Sequence, residues 1–241
     1  MNWQLKPAQD FGLSARERLR SQAREAGLGS ALLQGVWRRA VRGYLALFHR
    51  LTVTGRENLP ARPPFVLIAN HTSHLDALTL SAVLRGEAAR RAFSLAAGDV
   101  FFSSVGVSAF AAYAVNALPL WRKRNRQKDL LSLRRRLAEE ELVFILFPEG
   151  TRSRNGRMAP FQPGIGALVA GSAVPVVPCH LDGAFAAWPP DRRLPRPLPL
   201  HLTIGAPLRF DALANDRAGW DAAARACEDA VRGLAAAKEG R

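Results

Sequence analysis

Two short runs of apolar residues limit the possible folds more than any other feature of the sequence. Residues 65–69 read FVLIA and residues 142–147 read LVFILF, without a polar side chain in either run. A half-exposed strand alternates apolar and polar residues, so a strand that is apolar throughout is typical of a parallel sheet covered on both faces. Parallel strands need long crossover connections, which are usually helices. The two runs therefore predict an α/β fold.

The rest of the chain supplies further strands and helices for such a sheet. Weaker strand patterns lie at residues 51–55, 92–97, 115–120, 174–181 and 200–204, and helical patterns at residues 14–24, 31–50, 77–84, 127–140, 163–173 and 217–238. The prolines in residues 174–181 indicate a strand at the sheet edge or one with an irregular start. Because strands and helices alternate, we expect a mostly parallel mixed sheet flanked by helices, in a single domain over residues 51–241.

The net charge implies an anionic partner. The chain of 241 residues carries 34 basic and 20 acidic side chains, a formal charge of +14. Such an excess is typical of proteins that bind nucleic acids, anionic membranes or phosphorylated substrates. The aromatic residues are not interleaved with basic ones as in a nucleic-acid stacking platform, so we expect no nucleic-acid partner. Cys179 and Cys227 lack the spacing of a metal site and are expected to be ordinary buried thiols.

Residues 1–50 are predicted to form an N-terminal segment of basic amphipathic helices. Apolar side chains that include Trp37 and Phe48 recur there at helical spacing, between several arginines. Such helices suit the interface of an anionic membrane, and the alternative is a helix packed on the domain with its basic face in solvent. Residues 100–112 are expected to form a buried or interfacial helix. No stretch predicts a transmembrane helix or a signal peptide, so we expect peripheral attachment to a membrane.

Clusters of polar side chains follow three of the predicted strands. They lie at residues 70–76, 121–126 and 148–154. In the first cluster His71 and Asp76 would point roughly 140° apart on one helix, at about 100° per residue. They meet only if His71 lies in the turn before the helix. A carboxylate placed there fixes the tautomer of an imidazole and stabilises the imidazolium. The alternative is that Thr72 or Ser73 simply caps a helix.

The clusters contain a candidate base but no nucleophile motif. The sequence has no Gly-x-Ser-x-Gly pattern, no phosphate loop and no dinucleotide-binding glycine pattern. A base without a protein nucleophile indicates that a substrate supplies the nucleophile. The arginines of the second and third clusters indicate that this substrate is phosphorylated.

The sequence resembles the glycerolipid acyltransferases in four blocks. NHTSHLD at residues 70–76 is similar to their first block, whose mark is a histidine and an aspartate with four residues between them. FPEGTRS at residues 147–153 matches the third block, VPVVP at 174–178 resembles the fourth, and PLWR at 119–122 is a looser match to the second. The blocks occur in the family's order and cover roughly residues 50–205. The most similar subgroup is the 1-acyl-sn-glycerol-3-phosphate (lysophosphatidic acid) acyltransferases.

The resemblance implies transfer of a fatty acyl group from acyl-CoA or acyl carrier protein to the free hydroxyl of 1-acyl-sn-glycerol 3-phosphate, giving phosphatidic acid. His71 would be the general base and Asp76 would orient it. The acceptor hydroxyl would attack directly, with no acyl-enzyme, metal or bound cofactor. The remaining site residues would bind the acceptor or shape its pocket: Arg122, Glu149, Gly150, Thr151 and Arg152. His74 falls on a variable family position and is expected to support the site or lie at the surface.

With lipid substrates, the protein is expected at the cytoplasmic face of a membrane, attached peripherally. Two departures from the family pattern keep other acceptors open. FQPG at residues 161–164 lacks a lysine that often follows the third block, and the second block is loose enough for Arg124 to replace Arg122. The alternatives are the same chemistry on glycerol 3-phosphate or another lysolipid, and a basic module that binds lipid or RNA without catalysis.

Overall fold

The computed structural model describes residues 12–14, 17, 21, 28–97, 116–120 and 126–239. The helix predicted at residues 100–112 lies outside this part of the chain, as does most of the helix predicted at residues 14–24. The described helices are α1 (Leu28–Phe48), α2 (Asp76–Val83), α3 (Gly86–Arg90), α4 (Arg126–Glu139), α5 (Gly164–Val169), α6 (Ala184–Ala187) and α7 (Arg217–Glu239). The described strands are β1 (Thr52–Thr54), β2 (Phe65–Ala69), β3 (Ala92–Ala97), β4 (Ala117–Leu120), β5 (Val143–Leu146), β6 (Val176–Asp182) and β7 (His201–Ile204).

The strands form one mixed sheet in the order β1-β7-β6-β2-β5-β3-β4. Every neighbouring pair is parallel except β6 and β7, which are antiparallel. The two apolar runs of the sequence lie side by side at the centre, with Phe65 opposite Val143 and Ile68 opposite Leu146. Each is covered on both faces, as an all-apolar strand requires. The prediction of an α/β fold with a mostly parallel mixed sheet is confirmed.

The sheet separates two apolar core clusters. Phe65 and Leu67 of β2 point into one cluster, which also takes side chains of α1, α2 and α6. Val66 and Ile68 point to the other face, where α4, α5 and α7 pack. Burying one such side chain contributes about 1.5–3 kcal/mol relative to leaving it exposed. The two clusters hold β2 and β5 rigidly, and these strands carry the polar clusters of residues 70–76 and 148–154.

The position of β6 excludes one of the two alternatives that its prolines suggested, the sheet edge. Strand β6 is not an edge strand, because it lies between β2 and β7. The backbone carbonyl of Pro178 accepts a hydrogen bond of 2.8 Å from the amide of Gly205, which follows the last residue of β7. The amide hydrogen that Pro178 lacks would face the same side of the strand, where the neighbouring strand has ended. A proline is therefore tolerated in an interior strand at this position.

Helix α1 packs on the domain through part of its circumference. Val41 and Leu45 are buried in the core cluster that also contains α2. Arg42 Nε donates a hydrogen bond of 2.6 Å to the carbonyl of Ala82, near the end of α2, and Arg38 donates to the carbonyl of Ala89. The side chains of Arg38 and Arg42 therefore face the domain, whereas Arg39 of the same helix is exposed. In the described part of the chain, no helix combines the length and the apolar character needed to span a membrane.

Candidate active site

The candidate site lies at the carboxyl ends of β2 and β5, next to that of β6. Asn70 joins β2 to β6 beyond the regular sheet. Its side-chain Nδ2 donates to the carbonyl of Leu181 at 3.0 Å, and its Oδ1 accepts from the amide of Leu181 at 2.8 Å. Asn70 is nearly completely buried, so both of these hydrogen bonds are protected from water. The backbone is therefore fixed at Asn70, where the polar turn of residues 70–76 begins.

His71 and Asp76 meet as the motif predicts. The imidazole Nδ1 lies 2.8 Å from the Asp76 carboxylate Oδ2. The same oxygen accepts backbone N–H groups of Thr72 at 2.7 Å and Ser73 at 2.8 Å. The Asp76 side chain has no solvent exposure, whereas 14% of the His71 side chain is exposed. The turn therefore folds back onto the first residue of α2. Ser73 also caps this turn, since its Oγ accepts the amide hydrogen of Leu75 at 3.1 Å, but His71 is held by Asp76 and is not a free surface residue.

This geometry selects one tautomer of His71. The Asp76 oxygen already receives two backbone N–H groups, so it acts as an acceptor towards the imidazole, and Nδ1 carries the hydrogen. Nε2 makes no hydrogen bond to any residue in the described part of the chain. The imidazole ring is stacked on Phe147, with ring centroids 4.0 Å apart and planes 15° from parallel. The nitrogen that remains available to accept a proton is thus Nε2.

Glu149 holds the backbone of this site. Its Oε1 accepts the amide hydrogen of His71 at 2.6 Å, and its Oε2 accepts that of Ala159 at 2.8 Å. The side chain is only 5% exposed. Burial raises the pKa of Glu149, and the two backbone hydrogen bonds oppose that shift. Since both oxygens are occupied by backbone donors, the contacts of Glu149 show it fixing the loop that carries His71.

The loop after β5 places the other predicted residues on the same side of the sheet. The Ser153 amide donates to the carbonyl of His71 at 2.8 Å, which ties this loop to the histidine turn. Gly150 has a φ of 73°, a left-handed conformation that favours glycine, and its amide closes a turn onto Phe147. Thr151 is exposed, and Arg152 is partly buried. Arg122 and its alternative Arg124 lie outside the described residues.

Two residues that the motifs did not assign to the site are linked to Arg152, His74 directly and Trp188 through His74. His74 contacts it directly: Arg152 Nη1 lies 2.7 Å from Nδ1 and 2.9 Å from Nε2 of the imidazole. Trp188 covers His74, with ring centroids 5.0 Å apart, and its carbonyl accepts the Ser73 hydroxyl at 2.7 Å. Trp188 begins a segment rich in proline and arginine whose role no sequence pattern indicated. Only the tertiary fold brings it to the site.

Several known proteins are similar to this chain in sequence. The family model described as Acyltransferase matches residues 50–182, more than half of the chain. The chain is 34% identical over 149 residues to the 1-acyl-sn-glycerol-3-phosphate acyltransferase BAT2, chloroplastic, of Brassica napus, covering 59% of this chain and 40% of that protein. It is 32% identical over 133 residues to the human 1-acyl-sn-glycerol-3-phosphate acyltransferase alpha, covering 54% and 44%. The matched stretch thus spans less than half the length of either relative.

A solved structure shares the fold. The crystal structure of the 1-acyl-sn-glycerophosphate (LPA) acyltransferase PlsC from Thermotoga maritima matches with a TM-score of 0.64 and 23% sequence identity, covering 87% of this chain and 79% of that one. At this identity the likeness concerns the fold. The match to the family model covers His71, Asp76 and the loop of residues 148–154 together. This chain therefore belongs to the Acyltransferase family.

Proposed function

We propose that this protein transfers a fatty acyl group from acyl-CoA or acyl carrier protein to the free hydroxyl of 1-acyl-sn-glycerol 3-phosphate, giving phosphatidic acid. The observation that carries the proposal is the His71–Asp76 pair, whose contact at 2.8 Å leaves Nε2 of the imidazole without a partner in the described part of the chain. The names of the relatives from Brassica napus and human support the choice of acceptor.

The proposed reaction needs no protein nucleophile. Nε2 of His71 takes the proton of the acceptor hydroxyl while its oxygen forms a bond to the thioester carbonyl carbon. The carbon–sulfur bond of the resulting tetrahedral intermediate then breaks, and the departing thiolate takes the proton back from His71. The products are the ester and the free thiol, and the imidazole is neutral again. Asp76 stabilises the imidazolium that forms between these steps, because its buried carboxylate accepts the Nδ1 hydrogen throughout.

The acceptor phosphate is assigned to the loop after β5. Arg152 would bind it by charge-assisted hydrogen bonds, for which a planar guanidinium is well suited, and Arg122 would contribute from the segment after β4. Thr151, exposed on the same loop, would donate a further hydrogen bond. Gly150 allows the turn that presents these residues. Glu149 would act on the pocket through the backbone of His71, where its Oε1 accepts the amide hydrogen.

We further propose that the protein meets its acceptor on an anionic membrane surface, attached peripherally at the cytoplasmic face. Support comes from α1, whose outward side carries exposed apolar residues. These are Leu33, Val36, Trp37, Leu47 and Phe48. Within the helix they span an arc of roughly 120°, at about 100° per residue. The net charge of +14 adds attraction to anionic lipids.

Thiol release from an acyl-CoA tests the reaction. We expect release by the wild-type protein that depends on added 1-acyl-sn-glycerol 3-phosphate, and a loss of about 10²–10⁴-fold in His71→Ala, since a general base contributes that much. His201→Ala is the matched control, because His201 lies on β7 outside the candidate site and binds Thr52. Release without acceptor would instead show a thioesterase. An unchanged rate in His71→Ala would contradict the assignment of the base.

The same assay with a panel of acceptors tests the substrate. Glycerol 3-phosphate and a second lysophospholipid are compared with 1-acyl-sn-glycerol 3-phosphate at equal concentration, with acyl-CoA and acyl carrier protein as alternative donors. We expect the highest kcat/KM for 1-acyl-sn-glycerol 3-phosphate. Activity with every acceptor except this one would overturn the proposed substrate while leaving the reaction type in place.

A further inference from the structure

His74 is enclosed by groups from two distant parts of the chain. Arg152 Nη1 approaches it from the loop after β5, at 2.7 Å from Nδ1. The Trp188 ring covers it from the segment after α6. The carbonyl of Pro190, in the same segment, lies 3.4 Å from Nε2. Nothing in the reaction proposed above uses this imidazole.

The partners of His74 assign its hydrogen. A carbonyl oxygen can only accept, so Nε2 carries the hydrogen and donates it to Pro190. Arg152 Nη1 is almost equally close to both ring nitrogens, at 2.7 Å from Nδ1 and 2.9 Å from Nε2. A guanidinium can only donate, so it is accepted by the nitrogen that carries no hydrogen, Nδ1. Both contacts need a neutral imidazole, because an imidazolium has no acceptor and would repel the guanidinium. Burial, and then the nearby Arg152, lower the pKa of His74 and favour this neutral form.

We propose that His74 is a positioning residue that holds the Arg152 guanidinium in place for the acceptor phosphate, itself held by Trp188 and Pro190. The inference rests on the proposed function, in which Arg152 binds that phosphate. A free arginine side chain loses considerable rotational entropy when it binds, and a fixed one has already lost it. His74 therefore contributes to acceptor binding and not to proton transfer, which belongs to His71. This assignment also gives the segment after α6 a role, because Trp188 and Pro190 of that segment support the phosphate site through His74.

Steady-state kinetics of two variants test the assignment. His74→Phe keeps a ring against Trp188 but has no acceptor, and we expect its KM for 1-acyl-sn-glycerol 3-phosphate to rise about ten-fold, the effect of losing one hydrogen bond to a charged group. We expect kcat to change much less. His74→Asn can place its side-chain oxygen where Nδ1 lies, and it should restore a KM close to that of the wild type. A loss confined to kcat, or an equal loss in both variants, would overturn the proposal.

A double variant separates positioning from a general structural effect. If His74 acts through Arg152, adding His74→Phe to Arg152→Ala should change the acceptor KM little further, because residues that act as a unit are not additive. Additive losses would show that His74 acts independently of Arg152 and would contradict the inference.

The pH profile of the acceptor KM provides a readout that a purely structural role would not change. The charged and titratable groups around His74 are Arg152, His71 and Asp76. Because the pKa of His74 is lowered, its imidazole takes up a proton only below the usual histidine value, about pH 6.5. In that acidic range the acceptor KM of the wild type should rise, because the protonated ring no longer holds Arg152. His74→Asn should lack the part of the KM rise that protonation of His74 causes. Ionisation of the acceptor phosphate also changes the KM, but it affects the wild type and His74→Asn equally. Identical profiles would overturn the proposal; absence of any acceptor-dependent activity in the wild type would instead remove the proposed function, and this inference with it.

Discussion

At the scale of single residues, Asp76 both fixes the backbone of its turn and stabilises the imidazolium of His71, and one substitution can separate these two effects. Its Oδ2 accepts three hydrogens, from His71 and from the amides of Thr72 and Ser73. Its Oδ1 has no hydrogen-bond partner in the described part of the chain. An asparagine can therefore place its oxygen at the position of Oδ2 and its NH₂ group at that of Oδ1, which keeps the turn and removes the negative charge.

We accordingly expect Asp76→Asn to fold and to lose activity. Without the carboxylate, the imidazolium of His71 is less stable, and kcat should fall by about 10²–10⁴-fold with a small change in the acceptor KM. Thermal unfolding followed by circular dichroism, together with the thiol-release assay, would measure both properties. Asp76→Ala, which also removes the acceptor of the two amides, should in addition lower the melting temperature. A kcat near that of the wild type in Asp76→Asn would show that the charge has no part in the reaction.

The contrast between Asp76 and Glu149 shows what the sequence predicts at this scale. The contact between His71 and Asp76 spans five residues, so local spacing showed that the contact was possible, and the resemblance to the acyltransferases favoured it over a simple helix cap. The contact between Glu149 and the amide of His71 spans 78 residues and depends on β2 and β5 being neighbours. The motif placed Glu149 at the site, but its use as a backbone clamp follows only from the folded structure. The role of His74 could not be predicted for the same reason, because its contacts Arg152 and Trp188 are distant from it in sequence.

At the scale of elements, α1 directs two arginines, Arg38 and Arg42, towards the domain and leaves several apolar side chains exposed. Helical periodicity predicted an amphipathic helix but not which face meets the domain. Arg42 and Arg38 turn inward because carbonyls at the ends of α2 and α3 accept their hydrogens. Leu33 and Leu47 are left 70% and 86% exposed. A surface of this kind favours insertion into a membrane interface.

Vesicle co-sedimentation with α1 variants tests this arrangement. We expect stronger binding to anionic than to neutral vesicles, weakened by salt. Leu33→Ser and Leu47→Ser should each weaken binding by roughly ten-fold or less, as expected when a leucine side chain is removed from an interface. The matched control is Leu131→Ser, which changes a 55% exposed leucine of α4 on the opposite face of the sheet. Equal binding of the three variants would contradict docking through α1.

At the scale of the whole molecule, the sequence predicted the strands better than their order. The bounds of β2 and β3 agree with the predicted runs because each strand has a continuous local pattern. Strand order depends on which segments meet in space. The prolines of β6 suggested either an edge position or an irregular start, and they could not show that this strand lies between β2 and β7. Pro178 is tolerated in this interior strand because β7 ends beside it. The local sequence pattern of neither strand shows this.

His49 joins distant parts of the molecule and makes its stability depend on pH. The side chain is fully buried, with Nδ1 3.0 Å from the carbonyl of Leu198 and Nε2 3.0 Å from the hydroxyl of Tyr44 in α1. The Leu198 carbonyl accepts the Nδ1 hydrogen, so in the neutral ring Nε2 accepts the hydrogen of the Tyr44 hydroxyl. Burial lowers the pKa of His49, and the hydrogen bond to Leu198 opposes that shift. The contact closes a long connection between α1 and the segment before β7.

The sign of the resulting pH effect follows from this lowered pKa. Between the unfolded value, about 6.5, and the lower folded value, the unfolded chain binds more protons, so the free energy of unfolding falls as the pH falls. The stability contributed by a neutral His49 is present above about pH 6.5 and is lost on acidification. His74, whose pKa is also lowered, acts in the same direction, whereas the raised pKa of Glu149 acts in the opposite one. Only a comparison with a His49 variant isolates the part that belongs to His49.

Urea unfolding of the wild type and of His49→Gln at pH 7.5 and pH 5.5 makes that comparison. The glutamine cannot titrate, and the contributions of His74 and Glu149 are common to both proteins. We expect His49→Gln to be less stable at pH 7.5, because it fits the contacts to Tyr44 and Leu198 less well, and to lose less stability than the wild type on acidification. An equal loss in the two proteins would mean that His49 does not titrate differently in the folded and unfolded chain. A smaller loss in the variant would show that the junction between α1 and the segment before β7 loosens as this one imidazole takes up a proton.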